Sequence, residues 1–96
     1  MSKELPWLET SRRESLRELG AWLRQRREAC GLSQRQLANL VGLDCYTTIA
    51  QLESGSGRIP PEKYRLWLAH MSMNERDFVL TLLSHYDPIT YSILFT

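Results

Sequence analysis

Residues 32–55, LSQRQLANLVGLDCYTTIAQLESG, decide the fold, because they read as two short helices set at a fixed angle by a glycine-centred turn. Ser33 is suited to accept an orphan backbone N–H three residues on, and Gln36 stands where its amide can reach back, so a capping box predicts a helix starting at Gln34. Leu37, Ala38 and Val41 recur on one helical face, and Gly42 ends that helix and turns the chain. Asp44 is placed to cap the second helix, Ile49 and Leu52 form its inward stripe, and Gly55 with Gly57 ends it. Ala38 is small where the two helices must approach.

These residues resemble the lambda-repressor-like (Cro/XRE) helix-turn-helix family. That pattern has a Leu-(Ser/Asn)-Gln start, a Leu-Ala pair, a turn Gly, an Ile or Val and a final Glu-x-Gly. The counterparts are Leu32-Ser33-Gln34, Leu37-Ala38, Gly42, Ile49 and Glu53-Ser54-Gly55. The similarity spans roughly residues 20–72. One departure is a longer turn: six residues separate Gly42 from Ile49, where the commonest pattern has five.

Outward from the motif the chain reads as all-α: a compact five-helix lambda-repressor-like helix-turn-helix domain with an extra C-terminal apolar helical segment. Residues 1–10 are expected to form a flexible arm, 11–74 the helix-turn-helix domain (motif 33–54), and 75–96 a C-terminal helix and apolar tail that serves packing or dimerisation. Ser11 is expected to cap a first helix with Leu16, Leu19, Leu23 and Cys30 on one face and Gly31 at its end. Pro61 suits the first turn of a fourth helix on which Tyr64, Trp67, Leu68 and Met71 share a face. Asn74 caps a fifth running to about Tyr86, where Asp87-Pro88 interrupts it.

A length of 96 residues with 43% hydrophobic and 24% charged residues fits one ordinary globular domain. Apolar runs fall short of the roughly 18 residues that span a bilayer, and the first residues lack a signal peptide's apolar core, so the expected location is cytoplasmic, nucleoid-associated through DNA, with no membrane. Cys30 and Cys45 have no zinc spacing and are expected to be reduced, buried thiols. His70 and His85 stand alone, and no phosphate-cradling loop or nucleophile motif is present; no cofactor, metal or catalytic residue is expected, and the protein is not expected to be an enzyme.

Net charge is +1, too small to argue for nucleic acid by itself, but residues 1–31 hold seven basic residues against five acidic, concentrated at Arg24, Arg26 and Arg27 beside the motif. With Ile49 and Leu52 inward, a helical wheel turns Thr47, Ala50, Gln51 and Ser54 outward, flanked by Tyr46 and Thr48. Glutamine can bond an adenine edge bidentately and threonine offers a hydroxyl and a methyl, so Gln51 leads the candidate base readers, with Tyr46, Thr47 and Ala50. Phosphate-contact candidates are Arg26, Gln34, Arg35, Thr48, Ser54 and Arg58. The family resemblance implies that Gln34 anchors the backbone at a helix start and that Arg27 and Glu53 form a structural ion pair between helix 1 and the recognition helix.

Phe78, Val79, Leu82, Leu83 and Tyr86 give a helical stripe, and Ile89, Tyr91, Ile93, Leu94 and Phe95 keep the last residues apolar. Packing on Trp22 of helix 1 would cover this stretch, as would a two-fold partner; dimerisation is favoured, through Phe78, Leu82, Tyr86, Ile89, Tyr91, Leu94 and Phe95. The resulting expectation is a sequence-specific regulator of transcription, a homodimeric repressor binding a palindromic double-stranded operator through helix 45–54. The alternatives are the antitoxin of a toxin pair, with a protein partner on the C-terminal segment, and an interaction adaptor whose motif no longer reads DNA.

Overall fold

A computed structural model of the chain describes residues 6–95, with side chains from residue 11 onward. Among the described residues six α-helices follow one another: α1 Pro6–Ala29, α2 Gln34–Leu40, α3 Thr47–Glu53, α4 Tyr64–Leu68, α5 Glu75–Tyr86 and α6 Pro88–Phe95, with a 3-10 turn at Pro61–Lys63 leading into α4. Among the described residues there is no strand, and no helix is long and apolar enough to cross a membrane.

The first helix begins earlier than its sequence suggests. Ser11 lies inside α1, which is already helical at Pro6. Half of the arm expected over residues 1–10 is therefore helix, and residues 1–5 lie outside the described residues. The remaining boundaries follow local chemistry. The Ser33 hydroxyl accepts the Gln36 N–H at 3.0 Å while the Gln36 amide oxygen accepts the Ser33 N–H at 2.7 Å, completing the capping box. Asn74 likewise accepts the Asp77 N–H at 3.2 Å and starts α5.

Three successive helices stop in the same way. After α2 the Leu43 N–H bonds the Ala38 carbonyl at 2.8 Å and the Gly42 N–H bonds Asn39 at 3.3 Å, with Gly42 at φ +73°. Leu32 and Gly31 repeat that pair on Arg27 and Glu28 after α1, and Ser56 and Gly55 on Gln51 and Leu52 after α3. This is the Schellman arrangement, in which a left-handed glycine satisfies carbonyls that the helix end leaves unbonded.

The core is one cluster. Leu19 and Leu23 of α1 meet Leu37 and Ala38 of α2, Val41 of the turn, Ile49 and Leu52 of α3, Ile59, Trp67 of α4, Met71, and Phe78 and Leu82 of α5. Phe78 sits at its centre, 6.0 Å from the Trp22 ring and edge-on to Tyr64 at 6.2 Å. Helix α1 packs against both α3 and α5, α2 against α3, and α6 against α5. That packing corrects the expected interface: Phe78 and Leu82 are 0% exposed within one chain and belong to its core. The face left open lies on α6, where Ile89, Ile93, Leu94 and Phe95 are 69%, 75%, 62% and 43% exposed.

Candidate nucleic-acid interface

Helix α3 is short, and its position comes from its neighbours more than from its own caps. Asp44 does not cap it. The residue before the first helical turn is Tyr46, which makes no side-chain cap bond, and the Thr47 N–H instead points at the Cys45 sulfur at 3.5 Å. Asp44 stands three residues before Thr47, where the helix begins, and so does not occupy the cap position. What fixes α3 is burial of Ile49 and Leu52, with the Schellman turns at Gly42 and Gly55 on either side.

The far end of α3 is tied to α1 by a buried network. Arg27, 7% exposed, donates from Nε to Glu53 Oε2 at 2.6 Å, from Nη2 to Oε1 at 3.0 Å and from Nη1 to the Leu32 carbonyl at 2.7 Å. The fork satisfies both carboxylate oxygens, and hydrogen bonding to the Glu53 carboxylate raises the Arg27 pKa above its ordinary value. Gln34 joins the same group, its Nε2 donating to Glu53 Oε1 at 3.1 Å. One amide hydrogen of Gln34 is thus held by Glu53, which orients the side chain at the start of α2.

Gly20 was not among the candidates, yet it sets the crossing. A Cβ at that position would come within 2.7 Å of the Glu53 carbonyl carbon and 2.8 Å of the Leu52 carbonyl oxygen, so α1 and the end of α3 touch backbone to backbone. A glycine in the middle of a helix costs roughly 1 kcal/mol relative to alanine, and that cost was the available sequence signal for a close approach.

The surface that results is polar along one side of α3. Thr47, Thr48 and Gln51 are exposed, Ala50 is half-buried, and Tyr46 stands exposed at the head. Ser54 is exposed, but its hydroxyl donates to the Gln51 carbonyl at 2.9 Å and so is already engaged. Two arginines flank the helix, each laid over a tyrosine. Arg35 of α2 lies 4.7 Å above the Tyr46 ring, and Arg58, in the loop after α3, lies 4.7 Å above the Tyr86 ring. Arg26 is half-buried, with its Nε buried and without an acceptor.

Both cysteines are free, and their surroundings differ from expectation. Cys45 is exposed at the head of α3, its sulfur 2.9 Å from the Thr47 hydroxyl, and Cys30 is half-exposed. Hydrogen bonding from the Thr47 hydroxyl, then from its backbone, lowers the Cys45 pKa. The wheel places Cys45 inward only if the helix reaches back to residue 45, and it begins at Thr47. Of the expected dimerisation residues, Tyr86 is half-buried and its hydroxyl accepts the Ile59 N–H at 3.1 Å, while Tyr91 stacks on Phe95 at 5.1 Å. Among the described residues no group of His, Cys, Asp and Glu is arranged to hold a metal.

The geometry is that of two helices and a turn presenting a polar row of side chains on α3, with Arg35 at its head and Arg58 in the loop after it. A family model described as a helix-turn-helix domain matches residues 18–72, the span from α1 through α4. No curated protein and no solved structure matches the chain.

Proposed function

Since the chain belongs to the helix-turn-helix domain family, a DNA-binding and non-enzymatic kind of domain, we propose that it is a sequence-specific regulator of transcription that lays α3 in the major groove of double-stranded DNA. The observation that carries this reading is the outward row of Thr47 and Gln51 on α3, with Arg35 laid over Tyr46 at its head and Arg58 in the loop that follows it. Gln51 is the base reader, able to bond an adenine edge through both amide atoms, with Thr47 beside it and Tyr46 and Ala50 at the margin. Arg35, Arg58, Thr48, Gln34 and Arg26 supply sequence-independent contact with phosphates. Gln34 does so with the amide hydrogen that Glu53 leaves free.

The regulator acts as a homodimeric repressor by occupying a palindromic site, two copies placing their α3 helices on half-sites about one helical turn apart. Support for the two-fold comes from α6, whose Ile89, Ile93, Leu94 and Phe95 remain open after the chain has folded. The same open face favours a second reading, in which α6 binds a different protein, as the antitoxin of a toxin pair would.

Selection of bound sequences from a random duplex library at near-physiological salt, run beside Gln51→Ala, tests the proposal. An enriched palindrome whose preference relaxes at one position in the variant, with a loss of roughly 1–3 kcal/mol there, is the expected result. No enrichment by the folded protein would rule out the regulator and turn attention to protein partners of α6.

A further inference from the structure

Arg58 is held from a distant part of the chain. Its guanidinium carbon lies 4.7 Å above the ring of Tyr86, the last residue of α5. The hydroxyl of that same tyrosine accepts the N–H of Ile59, the residue next to Arg58, at 3.1 Å, and the Ile59 side chain is sunk in the core. One side chain therefore grips both the charge of Arg58 and the backbone beside it. Among the described residues no carboxylate stands within ion-pair distance of Arg58. Asp87, the next residue after Tyr86, is engaged elsewhere: its two oxygens accept the Thr90 N–H at 3.2 Å and the Thr90 hydroxyl at 2.6 Å.

Arg58 is exposed while its guanidinium carbon rests over the ring, so N–H donors that can fork onto a phosphate stay uncovered. A free arginine would have to surrender its rotamer freedom on binding, whereas one already laid on a ring has less to lose. We infer that Tyr86 is a positioning residue for DNA binding, presenting the edge of Arg58 to a backbone phosphate beyond the end of α3. This rests on the DNA-binding reading above and adds to it that the α5 terminus, which carries no base reader, sets part of the affinity. Burial raises the Tyr86 hydroxyl above its ordinary pKa, so it remains a neutral acceptor for the Ile59 amide across the physiological range.

The test is a double-mutant cycle on a random-sequence duplex, read as affinity against salt concentration, with thermal unfolding recorded for every variant. Arg58→Ala should lower the slope of log affinity against log salt by about one, the signature of one lost phosphate contact. Tyr86→Met should lower the affinity about threefold and reduce the slope in the parent background but change neither in the Arg58→Ala background, as residues acting through one contact do. Tyr86→Phe, which keeps the ring, should preserve the slope. Arg58→Lys leaves Tyr86 untouched and the charge in place but removes the flat stacking face, so it should bind more weakly than the parent. Additive effects of Tyr86→Met and Arg58→Ala, a lowered unfolding temperature with an unchanged slope, equal losses for Phe and Met, or parental binding by Arg58→Lys would each overturn the inference. Parental binding by Arg58→Ala would overturn it while leaving the DNA-binding reading intact, and a parent protein that binds no duplex at low salt would overturn both.

Discussion

Gly20 of α1 and Glu53 at the end of α3 meet backbone to backbone, with no room for a side chain between them. The contact fixes how far the far end of α3 stands from α1, and so how far its outer face projects. Gly20→Ala would ordinarily stabilise a helix, but here the added methyl must displace main-chain carbonyl atoms that have no rotamer to adjust. The variant should lose about 1–3 kcal/mol, the range of overpacked cores, measured as a lower urea midpoint at an unchanged m-value. A gain in stability would show that the helices can separate at little cost.

Arg27 and Glu53 are both nearly buried, with side chains 8% and 6% exposed. Removing one partner strands the other away from water. Glu53→Ala should therefore cost about 3–5 kcal/mol, whereas Arg27→Met with Glu53→Leu together should cost much less, because neither charge is then left unpaired. Chemical denaturation of the three proteins decides it, and equal losses in the single and double variants would argue against a desolvated pair. Glu53→Ala also frees Gln34, which it holds at 3.1 Å.

Asp87 links stability to acid. Hydrogen bonding from the Thr90 hydroxyl, then from the Thr90 amide, holds its pKa below the usual aspartate value. A lowered folded-state pKa contributes stability that is present above the unfolded pKa and is lost as pH falls through the folded one. The start of α6 should accordingly loosen below the ordinary aspartate range, seen as a pH-dependent shift of the Thr90 amide resonance. Asp87→Asn, which keeps one acceptor oxygen and does not titrate, should abolish that acid step; a step of unchanged size would assign it to another carboxylate.

Cys45 is exposed and its thiolate is favoured by Thr47, whereas Cys30 is half-exposed. In the native protein at neutral pH, iodoacetamide should modify Cys45 before Cys30, as followed by mass spectrometry of a time course. Thr47→Val, which removes the hydroxyl 2.9 Å from the sulfur, should slow the reaction. Faster modification of Cys30 would contradict the arrangement.

Ile93 is 75% exposed on α6 and contributes little to the core. Ile93→Asp should change stability by no more than about 0.5 kcal/mol, as surface substitutions do. If two copies meet through α6, the same change should weaken self-association by about tenfold or more, the effect of placing a charge in an apolar interface. Sedimentation velocity across a concentration series gives both results. A parent that stays monomeric throughout would remove the homodimer from the proposed mechanism.

Features that depend on neighbours within about one helical turn were legible along the chain. Ser33 with Gln36, Gly42, Gly31 and Asn74 set helix starts and stops through bonds three to five residues long, and the alternation of Ile49 and Leu52 with Thr47 and Gln51 set which side of α3 looks outward. The order of those signals also carried the family resemblance. Local reading failed where the turn was longer than usual: α3 starts at Thr47, Asp44 has no capping role and Cys45 lies at the surface. Tertiary structure alone decided which apolar stripe was covered, since Phe78 and Leu82 could have faced a partner until Trp22 and Tyr64 closed over the core. It also placed Gly20 under Glu53 and Tyr86 under Arg58. Those contacts join residues far apart in the chain, and spacing along a sequence carries no information about which distant backbone a helix face will meet until the core has packed and fixed the crossing.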